Sequence, residues 1–147
     1  MKALQFLALV LTALALVPAG AHLLELPNKI DLSERDYFAV QSIYRGWAML
    51  GIVLVGAVLA NLVLAVFLRG EGPAFACAVI AFLCIAVTLV IYFAFTLPAN
   101  QVTSNWTQVP ANWQHVRWEW EASQAANGAL TFIGFCALTI SVLLTRE

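Results

Sequence analysis

The chain has 147 residues, a mean hydropathy of +0.89 and a formal net charge of −1, and only 10% of its residues are charged. Soluble globular domains carry about 25% charged residues, so this composition excludes an ordinary soluble fold. The length allows a single domain over residues 1–147, and the nearly neutral charge argues against a nucleic-acid partner.

Four uncharged stretches are long enough to cross a bilayer, since a membrane-spanning helix needs about 20 residues. They predict helices over about residues 3–26, 37–68, 73–97 and 112–144. Ser33 followed by Asp36 indicates that the second helix begins outside the membrane. The sequence therefore predicts an all-α integral membrane protein, a bundle of four transmembrane helices.

The first stretch also resembles a cleavable signal peptide, with Lys2, an apolar run and small residues at 19–21. However, the apolar run continues through Leu23 and Leu24 without a polar mature start. We expect this helix to be retained as the first span.

Two polar segments of the chain are similar to each other. Each begins at a Leu-Pro pair and leads to an arginine close to a tryptophan; Pro27 to Arg45 is 18 positions, and Pro98 to Arg117 is 19. Two similar helix–loop–helix units in one chain indicate an internal repeat. We therefore expect two similar helical hairpins related by a rotation about the membrane normal, with helices 1 and 3 parallel and helices 2 and 4 parallel.

The basic residues give a nearly balanced signal for orientation. The side with both termini carries Lys2, Arg69 and Arg146, against four basic residues on the side of the two polar loops. The signal-like start at Lys2 favours cytoplasmic termini, in a plasma (inner) membrane, with both polar loops outside.

Aromatic residues with polar groups lie in the loop half of the chain. They are Trp47, Trp106, Trp113, Trp118, Trp120, Tyr37, Tyr44 and Tyr92. An aromatic belt normally marks both membrane interfaces. The one-sided distribution is compatible with a lined cavity and also with a one-sided belt.

The fourth helix carries a stripe of residues spaced by three or four positions. Its members are Trp113, Arg117, Glu121, Gln124, Gly128 and Thr131. Polar groups at such depth face the bundle interior and find partners, so we expect Arg117 to contact a carboxylate, either Glu121 or Glu25. The alternative is a purely structural ion pair that fixes this helix.

Two more pairs with one-turn spacing complete a predicted mouth, namely His22 with Glu25 and Gln41 with Arg45. The candidate catalytic residues are His22, Glu25, Arg117 and Glu121. The candidate ligand-binding residues are Asn28, Lys29, Tyr44, Arg45, Trp47, Asn100, Trp113, Trp120 and Gln124. With two histidines and no HExxH motif, we expect no metal site.

The segment from Leu97-Pro98 through Trp113 and Arg117 to Trp120-Glu121, together with the Pro-Asn-Lys segment at 27–29, resembles the anthrone oxygenase-like membrane family. The resemblance implies a four-helix membrane protein and, for a few relatives, oxidation of polyketide anthrones by molecular oxygen without a cofactor. This chain has Gln124 where the family pattern usually has histidine, and an amide cannot relay a proton as imidazole does.

These observations lead to one functional hypothesis and two alternatives. We expect a pocket at the non-cytoplasmic face that binds a small hydrophobic or aromatic molecule. If the site is catalytic, His22 or Glu25 accepts a proton while Arg117 and Arg45 stabilise an oxyanion. The alternatives are a non-catalytic module that binds membrane lipid, a partner or another copy of itself, as a homo-oligomer, and a small exporter. The exporter is disfavoured because no carboxylate lies in the middle of a span.

Overall fold

The computed structural model describes residues 1–145. Arg146 and Glu147, which contribute to the charge comparison used for orientation, lie outside this range. The helices are α1 Lys2–Lys29, α2 Glu34–Gln41, α3 Gly51–Phe67, α4 Pro73–Ile91, α5 Leu97–Val102 and α6 Trp113–Leu144.

Four helical segments are long and apolar enough to cross a membrane: Lys2–Lys29, Trp47–Phe67, Pro73–Val102 and Trp113–Leu144. Their main contacts join α1 to α3, α3 to α4, α4 to α6, and α6 back to α1. The spans therefore form a closed ring in which α1 lies opposite α4. The prediction of an all-α four-helix membrane bundle is confirmed.

Two prolines that were expected to follow helix ends lie inside helices instead. The prediction ended the first helix at 26, yet α1 passes Pro27 and ends at Lys29. The third span, predicted to end at 97, continues past Pro98 to Val102 through a π-helical segment, Tyr92–Thr96. In that segment the Leu97 N–H bonds to the carbonyl five residues back, which widens the turn where the proline ring would otherwise meet a carbonyl.

The second predicted helix, 37–68, is interrupted. Ser33 caps α2 by accepting a hydrogen bond from the Asp36 N–H at 3.2 Å, so the helix start predicted here is confirmed, and α2 precedes the apolar segment Trp47–Phe67. α2 ends at Gln41, a single 3-10 turn follows at Ser42–Tyr44, and Gly46 then has a φ of +90°. Glycine adopts this backbone conformation without strain. The second predicted helix is therefore divided at this point into α2 and α3.

Small residues allow α6 to approach its neighbours closely. A Cβ on Gly128 would lie 2.5 Å from the Ala19 carbonyl oxygen of α1, and one on Gly134 would lie 2.9 Å from the Ile85 side chain of α4. Such contacts bring helix backbones together where lipid supplies no hydrophobic driving force. The Gly128 contact lies one to two turns from the polar cluster described next.

Candidate functional site

The centre of the loop end is a buried lysine shared by two carboxylates. Lys29 Nζ lies 3.0 Å from Glu121 Oε1 and 3.3 Å from Glu25 Oε1, and it donates to the Tyr44 hydroxyl at 2.9 Å. Lys29 is only 3% exposed and Glu121 is fully buried. A buried ammonium requires such partners, because an isolated charge away from water is very unfavourable. The interaction therefore joins α1 firmly to α6.

His22 is held between a carboxylate and a set of aromatic rings. Its Nδ1 lies 2.7 Å from Glu25 Oε1, an oxygen that also accepts a short hydrogen bond from Tyr44. The ring centroid of His22 lies 4.6 Å from Tyr44, 5.1 Å from Trp120 and 5.7 Å from Trp47. The imidazole is consequently fixed in orientation and mostly shielded from water.

Tyr37 of α2 belongs to the same cluster. Its hydroxyl donates to Glu121 Oε1 at 2.8 Å and accepts from Gln41 Nε2 at 2.8 Å. Burial, followed by the neighbouring Glu121 charge, raises the pKa of Tyr37 far above its usual range. Burial and the hydrogen bond to Glu25 likewise raise the pKa of Tyr44. Both phenols are thus neutral hydrogen-bond donors at physiological pH.

Arg117 does not make the ion pair that the sequence predicted. Among residues 1–145 it has no carboxylate within ion-pair distance; its Nη1 donates to the Leu32 carbonyl at 2.8 Å. Its guanidinium lies 4.7 Å from the Trp113 ring centroid and 5.4 Å from that of Tyr37. The prediction was wrong because Lys29, on the neighbouring helix, occupies the position beside Glu121.

We expect Arg117→Ala to lower the free energy of unfolding by about 2 kcal/mol, since it removes a charge-assisted hydrogen bond and two cation–π contacts. Arg35→Ala, at an exposed position of α2, is the matched control and should change stability by less than about 0.5 kcal/mol. Thermal unfolding in detergent compares the two variants. Equal melting temperatures would show that the Arg117 contacts contribute nothing.

Asn100 links the second polar segment to α6. Its Oδ1 accepts hydrogen bonds from Trp120 Nε1 at 3.0 Å and from Trp106 Nε1 at 3.1 Å. Trp106 follows two other residues with positive φ, Ser104 and Asn105, and has a φ of +64° itself. Three successive left-handed residues are unfavourable without glycine, so the buried Trp106 side chain and its hydrogen bond offset that strain.

The remaining predicted residues are less closely associated with the cluster. Asn28 and Arg45 are exposed, and Gln124 is half-buried on α6. Arg45 lies before the break at Gly46 and before the second span, whereas Arg117 lies inside α6, so the two arginines do not match in position. His115 forms an exposed pair with Glu119 at 3.4 Å, away from His22.

Two grooves lie on the surface of the bundle, one of them beside the cluster. One groove of about 320 Å³ between α4 and α6 is lined by Ile91, Phe95, Trp118, Glu119, Ala122, Ser123 and Ala126. Another of about 360 Å³ lies near the opposite end of the bundle, between α3 and α4.

Sequence reasoning did not assign Tyr37 or Trp106 to the site, and it paired Gln41 with Arg45, whereas Gln41 bonds to Tyr37. Tyr37 and Gln41 are one turn apart and mark one face of α2, which was the available signal. Nothing in the local sequence indicates that this face covers Glu121. In the described part of the chain, no three His, Cys, Asp or Glu side chains lie together in a way that could hold a metal ion.

No protein-family model, curated protein or solved structure matches this chain. The resemblance to the anthrone oxygenase-like family therefore stays a prediction. Function has to be inferred from the geometry of the loop-end cluster in an integral membrane protein with four apolar spans.

Proposed function

We propose that the loop-end cluster binds a small hydrophobic or aromatic molecule with an acidic hydroxyl or an enolisable carbonyl, and that His22 accepts a proton from it. The observation that carries this proposal is the contact of 2.7 Å between His22 Nδ1 and Glu25 Oε1 inside a ring of aromatic side chains. Apolar walls with a few fixed polar groups are typical of small-molecule sites.

The chemistry follows from the hydrogen bonding of the imidazole. An ionised carboxylate only accepts, so His22 carries its hydrogen on Nδ1 and leaves the Nε2 lone pair available. In the described residues, Nε2 has no hydrogen-bond partner. Glu25 would stabilise the imidazolium that forms when Nε2 takes a proton, as an orienting carboxylate does beside other catalytic histidines.

Lys29 supports this proposal by its charge. Its ammonium lies 4.5 Å from the Tyr44 ring centroid and 4.8 Å from that of Trp120, the rings that also surround His22. A fixed positive charge in a site with little water stabilises an oxyanion that forms nearby. Lys29 thus replaces Arg117 and Arg45 as the best-placed cation for this role.

For an anthrone-like substrate, the proton transfer would begin an oxygenation in which molecular oxygen is the co-reactant. The resulting enolate gives one electron to oxygen, and recombination forms a peroxide anion. The His22 imidazolium returns its proton to this anion to give a hydroperoxide, and loss of water leaves a new carbonyl. The net change is substrate plus oxygen to quinone plus water, which balances without a cofactor. The protein supplies the base, the positive charge and the apolar enclosure.

A structural module is the second candidate, and one observation favours it. Lys29 Nζ lies within 2.9 to 3.3 Å of three oxygens of the cluster, which belong to Tyr44, Glu121 and Glu25. Such an arrangement joins α1, α6 and the segment containing Tyr44 even without a ligand. Lipid or partner binding would then occur on the apolar outer surface.

The two candidates differ in aromatic ligand binding. We expect anthrone to quench the tryptophan fluorescence of the detergent-solubilised protein with saturation, because three tryptophans line or adjoin the site. His22→Phe keeps a ring in contact with Trp120 but removes both nitrogens, and should weaken anthrone binding at least tenfold, about 1.4 kcal/mol.

His115→Phe, which alters an exposed pair, is the matched control and should bind anthrone as wild type does. Anthracene, which lacks the oxygen, tests whether a polar group is recognised. Equal affinity of wild type and His22→Phe, or of anthrone and anthracene, would contradict the proposal. Oxygen uptake with anthrone, lost in His22→Phe, separates catalysis from binding.

A further inference from the structure

Three polar atoms around Tyr37 are buried without a hydrogen-bond partner. They are Glu121 Oε2, Gln41 Oε1 and Arg117 Nε. The other polar atoms of the same carboxylate and amide, Glu121 Oε1 and Gln41 Nε2, each lie 2.8 Å from the Tyr37 hydroxyl. The Arg117 guanidinium lies 5.4 Å from the Tyr37 ring centroid. The three unpartnered atoms therefore belong to side chains that all contact one tyrosine.

Burial makes these atoms unfavourable as they stand. Glu121 is fully buried and Gln41 is 4% exposed. A buried acceptor without a donor costs about 1–3 kcal/mol, and more when it is charged. Almost all buried polar groups in proteins have partners, and where the chain supplies none, an ordered water usually does.

The types of the three atoms match one particular molecule. Two are acceptors and one is a donor, whereas a water molecule donates twice and accepts at least once. A second phenol or an ammonium ion would leave at least one of the three unsatisfied, since the phenol donates once and the ammonium ion accepts nothing.

We propose that a single ordered water molecule binds beside Tyr37, where it donates to Glu121 Oε2 and Gln41 Oε1 and accepts from Arg117 Nε. This water connects Arg117 to Glu121 although the two side chains make no direct contact. A water-mediated bond is nearly as favourable in enthalpy as a direct one, so the link contributes to holding α2 on α6. This water site is independent of any ligand or reaction at His22.

An experimental structure that resolves ordered waters is the direct test. We expect density within hydrogen-bond distance of Glu121 Oε2 and of at least one of the other two atoms. An empty site, a different ion at this position or direct contact between Arg117 and Glu121 would overturn the proposal.

A double-mutant cycle tests the same link in solution. Arg117→Met and Glu121→Gln are combined, and the amide of the latter keeps the size of the side chain and one oxygen for Tyr37. We expect non-additive melting temperatures, with a coupling of about 2–4 °C, which corresponds to about 1 kcal/mol for a chain of this length.

The cycle is then repeated with Gln41→Met, which removes one ligand of the water but neither charge. If water carries the link, the coupling should fall by at least half. Because a direct charge–charge interaction does not need Gln41, an unchanged coupling would contradict the proposal. Gln101→Met, at an exposed position, is the matched control and should leave the coupling as it is.

Discussion

Lys29→Met should be the most destabilising single change among the charged residues, lowering the melting temperature by about 10 °C. The substitution leaves two carboxylates, Glu25 and Glu121, without their shared cation. Removal of one partner from a buried ion pair costs about 3–5 kcal/mol, and each kcal/mol corresponds to about 2–4 °C for a chain of this length. Thermal unfolding in detergent provides the measurement.

The control and a rescue make this expectation specific. Arg45→Met also removes a cation from the loop end, but the side chain is exposed, so we expect a shift of at most about 1–2 °C. Adding Glu121→Gln to Lys29→Met should recover part of the lost stability, because the uncompensated buried charge is then gone. A melting temperature of Lys29→Met equal to that of Arg45→Met would refute the central role of this lysine.

Gly128→Ala should be nearly as harmful, although it adds only one methyl group. The new Cβ would lie 2.5 Å from the Ala19 carbonyl oxygen and 2.9 Å from the Leu23 Cβ. Since backbone atoms cannot turn aside as a side chain can, α1 and α6 must separate, at a cost of about 2–3 kcal/mol or a shift of about 4–12 °C.

Gly20→Ala is the matched control, since the nearest atom to its added Cβ is 4.0 Å away. Alanine is also the better helix former, so this variant should be as stable as wild type or slightly more stable. Separation of α1 from α6 would also loosen the contact of Lys29 with Glu121. If Gly128→Ala unfolds at the wild-type temperature, the close approach of the two helices at this point is not required.

The four spans and the grouping of polar residues at one end could be predicted from the sequence. Hydropathy and length are sufficient for the spans, because any helix in lipid must satisfy its backbone internally. The helix ends were less predictable. Pro27 and Pro98 indicate helix ends by local rules, but their freed carbonyls are accommodated, at Pro98 by the π-helical turn that precedes it.

The partners within the cluster were predicted only in part. The pairing of His22 with Glu25 follows from one-turn spacing and is present in the structure. The expected pair of Arg117 with Glu121 has the same kind of spacing and does not form. Local spacing shows that two side chains can meet; which cation occupies a carboxylate depends on the neighbouring helix, here Lys29 of α1.

The predicted internal repeat does not extend to the side chains of the site. Contacts of α1 with α3 and of α4 with α6 are those expected of two similar hairpins. The two polar segments differ in helix continuity beside the site. Gly46 interrupts the first segment, while α6 continues unbroken through the corresponding part of the second. As a result, Arg45 is exposed and Arg117 is held against Trp113.

The long sequence separation within the cluster has a consequence for how the protein is made. Tyr37 and Glu121 are 84 residues apart, and Leu32 and Arg117 are 85 apart. At about 5–20 residues per second, the ribosome needs about 4–17 seconds to synthesise the chain between them. Until Glu121 is synthesised, Lys29 can have only Glu25 and Tyr44 of its three partners.

The last helix to be inserted therefore completes the polar contacts of the first. A chain that lacks α6 leaves the Lys29 ammonium without the Glu121 carboxylate, and a buried charge with incomplete partners is unfavourable. The buried Lys29 therefore has all three of its partners only when α6 has joined the bundle.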